Sequence, residues 1–103
     1  MKKLINGPDD VASESMEGFV AAFPQYVRSL ENVRAIVRRD APIQGKVAVV
    51  TGGGSGHEPM WWCYVGRGMS DAGVLGNIFA APPPRPIYQT AKAVDGGRGV
   101  LFI

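Results

Sequence analysis

The 103-residue sequence has a single cysteine, a single histidine and almost no excess of charge. Because Cys63 has no second cysteine to pair with, the chain has no internal disulfide, and we expect a reducing, cytoplasmic location. Cys63 and His57 are its only soft or borderline metal ligands, so no metal site is predicted. The net charge of +2 is too small to predict nucleic-acid binding. We interpret the neighbouring Arg34, Arg38 and Arg39 as a solvated strand end.

Long apolar runs are also missing. No run reaches the roughly 18 apolar residues that a membrane span requires, and no apolar core follows Lys2 and Lys3 as in a signal peptide. We therefore expect no membrane partner. The composition, 46% apolar and 19% charged, is typical of a folded protein, and the length allows one domain, assigned to residues 1–103.

Helical and extended patterns alternate along the chain. The predicted elements are a helix capped by Asn6 or Asp9 and ended by Pro24, strands at 33–37 and 47–50, a short helix at 58–65, a strand at 74–79, a helix at 87–94 and a strand at 100–103. This alternation predicts an α/β fold: a mostly parallel sheet of about four strands with flanking helices. Because the sequence ends within an apolar strand, we expect a partial domain, either a fragment or a truncated natural product.

Four glycines between an apolar strand and the only histidine form the most informative segment. They are Gly52, Gly53, Gly54 and Gly56. Glycines let a ligand approach the main chain closely, and successive N–H groups can bind an anion or a polar oxygen. At the carboxyl end of a parallel strand this pattern indicates a small-molecule site. A tight turn with a structurally bonded histidine is the alternative.

The known glycine motifs do not match this segment. A P-loop needs Gly-Lys-Ser/Thr, whereas Gly56 precedes His57 and Glu58. The dinucleotide fingerprint fails at both possible starts, because His57 or Pro59 takes the place of its third glycine. The G-x-S-x-G elbow of a serine hydrolase is missing as well. What remains is a site where backbone N–H groups bind oxygen atoms and His57 bonds to a hydroxyl or accepts its proton.

With these residues the chain resembles the dihydroxyacetone kinase family, specifically the N-terminal part of its substrate-binding K subunit. The resemblance is collinear, and it spans about the first third of a typical member. It is carried by residues 1–6, 39–42, 45–50, 52–59, 64–66, 68–69, 93–97 and 99–101.

The resemblance implies phosphoryl transfer to a hydroxyl of dihydroxyacetone. The implied donor is ATP-Mg, or a phosphoprotein relay through a separate nucleotide-binding L-type subunit. His57 is implied as a general base or hydrogen-bond partner, in a substrate pocket formed by Gly53, Gly54, Ser55, Gly56 and His57. A lysine, an aspartate and a ketone-binding histidine that members carry further along are not in this chain. We therefore expect no cofactor in this chain and no kinase activity from it alone.

Two adjacent tryptophans depart from the small or polar residues that are usual in the family. Trp61 and Trp62 on a short helix cannot both face inward, so they are interpreted either as core or as a subunit interface. With Val100 and Phe102 they are the interface candidates of a predicted homodimer. The alternative functions are a non-catalytic oligomeric module and a ketose-binding sensor.

Overall fold

The computed structural model describes residues 2–103. Its elements are α1 (Val11–Ala22), β1 (Val27–Leu30), β2 (Val33–Arg38), β3 (Ala48–Ser55), β4 (Ala72–Ile78), α2 (Pro84–Val94) and β5 (Val100–Phe102). The predicted α/β class with flanking helices is confirmed. Within the described residues, neither helix has the length and apolar character needed to cross a bilayer.

The strands form one mixed sheet in the order β1-β2-β4-β3-β5. β3 runs parallel to both of its neighbours, β4 and β5, whereas the β1–β2 and β2–β4 pairings are antiparallel. The sheet therefore has one strand more than expected. The additional strand is β1, whose only fully buried residue is Val27. It gives little apolar signal of its own, and its pairing with β2 defines it as a strand.

Apolar clusters cover both faces of the sheet, because successive side chains on a strand point to opposite sides. One cluster, against which Ile87 of α2 packs, comprises Val33, Ala35, Val37, Ala41, Ala48, Val50, Ala72, Val74 and Val94. The other comprises Val27, Ile36, Trp62, Val65 and Leu75, with Met16, Phe19 and Val20 of α1 packed against it. The sheet is thus a layer between two helices.

The helix boundaries differ slightly from those expected. Asp10, and neither of the two predicted residues, is the N-cap of α1, and its side chain forms no capping bond. Asn6 instead donates to the Glu14 carboxylate at 3.0 Å. α2 begins earlier than expected, because a proline is well tolerated in the first turn, where no helical N–H bond is lost.

Residues 58–65 form a series of turns, so the predicted short helix is wrong. Trp61 has a φ of +87°, outside the helical region. Its backbone lies directly over Gly73 of β4, where an added Cβ would be 3.1 Å from the Trp61 carbonyl oxygen. That same oxygen accepts a hydrogen bond from Thr51 Oγ1 at 3.2 Å. Contacts with the sheet therefore outweigh local helical preference.

Both indoles turn toward the sheet, which the helical interpretation had excluded. Trp62 is 2% exposed, and its ring stacks on Phe19 with centroids 5.7 Å apart. Trp61 is half-buried against Gly53. Both indole nitrogens are buried and form no hydrogen bond within residues 2–103. Because residues 58–65 are not a helix, the argument that the two indoles cannot both face inward is wrong.

Candidate functional site

The glycine segment, expected to be a loop, continues β3. Gly52 and Gly53 pair with Val74 and Leu75 of β4, and the register shifts between Gly53 and Ser55. The N–H of Gly52 donates to the Ile103 carbonyl at 3.3 Å, so it is used within the sheet. The chain leaves the strand only at Gly56, whose φ of +98° favours glycine.

Close packing explains the glycines at positions 53 and 54. A Cβ on Gly53 would lie 2.5 Å from Nε1 of Trp61. A Cβ on Gly54 would lie 2.7 Å from the Ala80 nitrogen and 2.9 Å from Cα of Phe79. The side-chain faces of both glycines are therefore covered by the chain itself, and the two residues fix the end of β3 against its surroundings.

Ser55 and Gly56 differ in how far they are available to a ligand. Ser55 is 2% exposed, and its hydroxyl donates to the Gly76 carbonyl at 2.8 Å. Gly56 is exposed, and its N–H donates to the Glu58 carboxylate at 3.0 Å. A ligand oxygen that bound the Gly56 N–H would have to replace that carboxylate.

His57 is exposed directly after the glycine segment. Its ring makes an edge contact with the ring of Phe79, with centroids 5.0 Å apart and planes at 72°. Within residues 2–103 the imidazole has no recorded hydrogen-bond partner, so it is not a structurally bonded histidine of the kind that the turn interpretation required. Its two nitrogens are free to bond a ligand.

A separate cavity of about 280 Å³ lies at the same end of the sheet, beside α2. Its lining residues are Val50, Thr51, Gly52, Val74, Ala81, Pro82, Ile87, Phe102 and Ile103. The walls are mainly apolar, and His57 is not among them. The two features are therefore distinct: the histidine stands on the exposed turn, and the cavity lies on the α2 face.

The interface candidates fall into different environments. Val100 is half-buried and packs against the first apolar cluster, whereas Phe102 is 52% exposed at the cavity. Leu101 and Ile103 beside it are also exposed, at 52% and 70%. Among the four interface candidates, Phe102 is therefore exposed, Val100 and Trp61 are half-buried and Trp62 lies in the core.

Sequence analysis missed a buried ionic cluster at the opposite edge of the sheet. Arg38, 5% exposed, donates from Nη1 to Asp71 Oδ1 at 3.0 Å. Its Nε and Nη2 bond the two carboxylate oxygens of Asp40 at 3.0 and 2.9 Å. Lys46 and the N–H of Val49 bond the other oxygen of Asp71. The prediction of a solvated strand end is wrong for Arg38, because its partner Asp71 lies 33 positions away and gives no local signal.

The ionic cluster shifts the titration of Asp71. Burial alone raises the pKa of this carboxyl, but hydrogen bonds from Lys46, the Val49 N–H and Arg38 outweigh burial and lower it. Asp71 precedes β4 and Lys46 precedes β3, so the cluster lies at the amino ends of these parallel strands, away from His57. We interpret it as a structural element that joins β2, β3 and β4.

Neither a metal-ligand cluster nor a phosphate loop is found at the glycine segment among residues 2–103. Within residues 2–103, no three histidine, cysteine, aspartate or glutamate side chains come together to hold a metal ion. Three of the four glycines belong to β3 and do not form a phosphate loop. The glycine segment therefore does not provide a phosphate-binding loop of the P-loop type for ATP-Mg.

Comparison with protein families matches residues 17–103 to the Dak1 domain. The chain is 48% identical over 103 residues to the dihydroxyacetone-binding subunit DhaK of the PEP-dependent dihydroxyacetone kinase of Escherichia coli, covering 100% of this chain and 29% of that protein. It is 42% identical over 102 residues to the L-erythrulose kinase of Pectobacterium atrosepticum, covering 99% and 17%. The chain thus spans less than a third of the length of these relatives.

Solved structures show the same fold. The dihydroxyacetone kinase from C. freundii, in complex with AMP-PNP and Mg²⁺, superposes with a TM-score of 0.90 at 35% identity, covering 98% of this chain and 19% of that one. The dihydroxyacetone kinase operon co-activator Dha-DhaQ superposes with a TM-score of 0.79 at 32% identity, covering 86% and 27%. A kinase and an operon co-activator therefore share this arrangement of strands and helices.

Proposed function

The chain belongs to the Dak1 domain family, and on that premise we propose that it provides part of a binding site for dihydroxyacetone or a similar short ketose. The observation that supports the proposal most strongly is the exposed imidazole of His57, unpaired within residues 2–103, at the carboxyl end of β3. Relatives named for dihydroxyacetone and for L-erythrulose favour a short polyhydroxylated ketone as the ligand class.

Each proposed contact has a defined chemical role. A nitrogen of His57 accepts a hydrogen bond from a ketose hydroxyl and takes its proton when that oxygen acts as a nucleophile. The Gly56 N–H donates to a second ligand oxygen in place of the Glu58 carboxylate, which now occupies it. Gly53, Gly54 and Ser55 hold this turn in position through the packing of β3. Kinase activity requires a phosphoryl donor, such as ATP-Mg or a relay through an L-type subunit, supplied from outside residues 2–103.

A homodimer is a further part of the proposal. The exposed apolar side chains Leu101, Phe102 and Ile103 on β5 support association through this strand. Sedimentation at high micromolar concentration tests it: we expect a dimer, and a monomer under those conditions would contradict it. Phe102→Ser is expected to weaken the dimer, while Tyr88→Ser, which removes another exposed aromatic, on α2, leaves it intact.

A ketose sensor without catalysis is the second candidate function. The close structural match to a protein named as an operon co-activator favours it specifically. Both candidates require ketose binding, but only the kinase role requires that the bound hydroxyl be phosphorylated when a donor system is added. Phosphorylation of dihydroxyacetone by the chain plus a donor subunit would decide for the kinase role.

The binding proposal is tested by following the amide spectrum of the chain by NMR during titration with dihydroxyacetone. We expect saturable shifts confined to residues 53–58 and the neighbouring turn after β4. His57→Gln removes one nitrogen and the proton-accepting capacity of the ring, and it should weaken binding about tenfold. Tyr88→Phe on α2, whose ring contacts Lys92, is the matched control. A well-dispersed spectrum that dihydroxyacetone leaves unchanged at millimolar concentration would overturn the proposal.

A further inference from the structure

Phe79, directly after β4, combines two unfavourable features. Its φ is +53°, in the left-handed region that a bulky side chain rarely adopts, and it is 69% exposed. The ring therefore gains little from burial to offset its backbone strain. Such conformations persist where the surroundings impose them, and they are frequent at functional sites.

The backbone of Phe79 is held against the end of β3. Its N–H donates to the Ser55 carbonyl at 2.8 Å, and the next N–H, from Ala80, donates to the Asn77 carbonyl at 3.0 Å. Gly54 lies directly below, leaving no room for a Cβ between the two segments. The turn that carries the ring is therefore fixed relative to the strand that leads to His57.

The exposed ring contacts the functional end of the glycine segment. A Cβ on Gly56 would lie 3.1 Å from the Phe79 ring, and the ring meets the imidazole of His57 at a centroid distance of 5.0 Å. Because the imidazole forms no hydrogen bond within residues 2–103, this aromatic contact is the interaction available to orient the ring.

We propose that Phe79 is a positioning residue that sets the orientation of the His57 ring, so that one nitrogen faces the ligand hydroxyl. The consequence for a ligand rests on the proposed ketose site. The contact between the two rings does not depend on that site, and it is measurable without any ligand. Failure of the one idea is therefore distinguishable from failure of the other.

Proton NMR of the whole chain tests the orientation directly. We expect cross-relaxation between the Phe79 and His57 ring protons, and a ring-current displacement of a His57 carbon-bound proton. Phe79→Leu should abolish the displacement and Phe79→Tyr should retain it. Phe23→Leu, which removes an exposed phenylalanine on the α1 face, should leave it unchanged. Absence of cross-relaxation in the unmodified chain, or an unchanged displacement in Phe79→Leu, would overturn the inference.

Ligand titration of the same variants separates the two ideas. If dihydroxyacetone binds, Phe79→Leu should weaken binding about tenfold and Phe79→Tyr less than about twofold. Equal affinity of Phe79→Leu and the unmodified chain, despite a lost ring-current displacement, would overturn the positioning role. If the unmodified chain does not bind, the ketose proposal fails, while the ring-current result still decides whether Phe79 orients His57.

Discussion

At the scale of single residues, the site depends on how closely backbones and rings approach one another. Gly53 and Gly54 are placed where Trp61 and the turn after β4 leave no space for a side chain. His57 follows them on the exposed turn. The motif therefore has two parts: buried glycines that determine the shape and an exposed histidine that we propose contacts the ligand.

Gly53→Ala is expected to destabilise the chain by about 1–3 kcal/mol, because the new methyl group overlaps the Trp61 indole. Urea unfolding measures the change. Gly66→Ala is the matched control, since a Cβ there meets nothing within 4 Å and its backbone does not require glycine. Combining Gly53→Ala with Trp61→Ala should recover part of the loss, and strictly additive effects would contradict the proposed contact.

At the scale of elements, sequence patterns predicted structures with a strong local signal. The apolar runs at β2, β3, β4 and β5 and the helical spacing before Pro24 gave correct elements. β1 was missed because it depends on its partner strand. Residues 58–65 were assigned to a helix although contacts of Trp61 with Thr51 and Gly73 impose turns.

The candidate site was predictable to a similar extent. The glycine run with its lone histidine was enough to select His57. Its contact with Phe79 was not predictable, because it depends on how β4 and the following turn pack beside β3. The burial of Ser55 was not predictable either, because it depends on the same packing of β4 beside β3.

The helix α1 contains a glycine that neither the sheet nor a turn requires. Gly18 is exposed within α1, and a Cβ there meets nothing within 4 Å. Gly18→Ala should therefore stabilise the chain by about 0.5–1 kcal/mol through helix propensity. Thermal and urea unfolding both measure it. A decrease in stability would indicate that this face of α1 is packed against something in solution.

At the scale of the whole molecule, the two edges of the sheet have different roles. The carboxyl ends of β3 and β4 carry the exposed histidine and the strained turn. The amino ends carry the buried cluster of Arg38, Asp71 and Lys46, which holds three strands together. The exposed histidine thus lies at one edge of the sheet, and buried ion pairs stabilise the opposite edge.

The ionic cluster predicts how stability depends on pH. Because the pKa of Asp71 is lower in the folded chain than in the unfolded chain, the folded state binds fewer protons at acid pH. The stability that Asp71 contributes is fully present above the pKa of the unfolded chain, about 3.9, and is lost as the pH falls through the lower pKa of the folded chain. Urea unfolding across the acid range and at neutral pH should show that loss.

Asp71→Asn isolates this effect. The substitution leaves Arg38 buried beside a neutral amide, so we expect the free energy of unfolding to fall by about 3–5 kcal/mol at neutral pH. We also expect the free energy of unfolding to depend less on pH in the acid range. Asp40→Asn is the matched control, because the Asp40 side chain is 57% exposed and its loss should matter less. Equal losses for the two variants would contradict the assigned role of burial.

The placement of the two tryptophans also gives the molecule an internal optical probe. Trp62 stacks in the core and reports on its integrity, whereas Trp61 lies on Gly53, within the strand that leads to His57. A Trp62→Phe variant leaves one emitting indole beside the site. Its fluorescence spectrum and lifetime would then follow movements of the glycine strand without any added label.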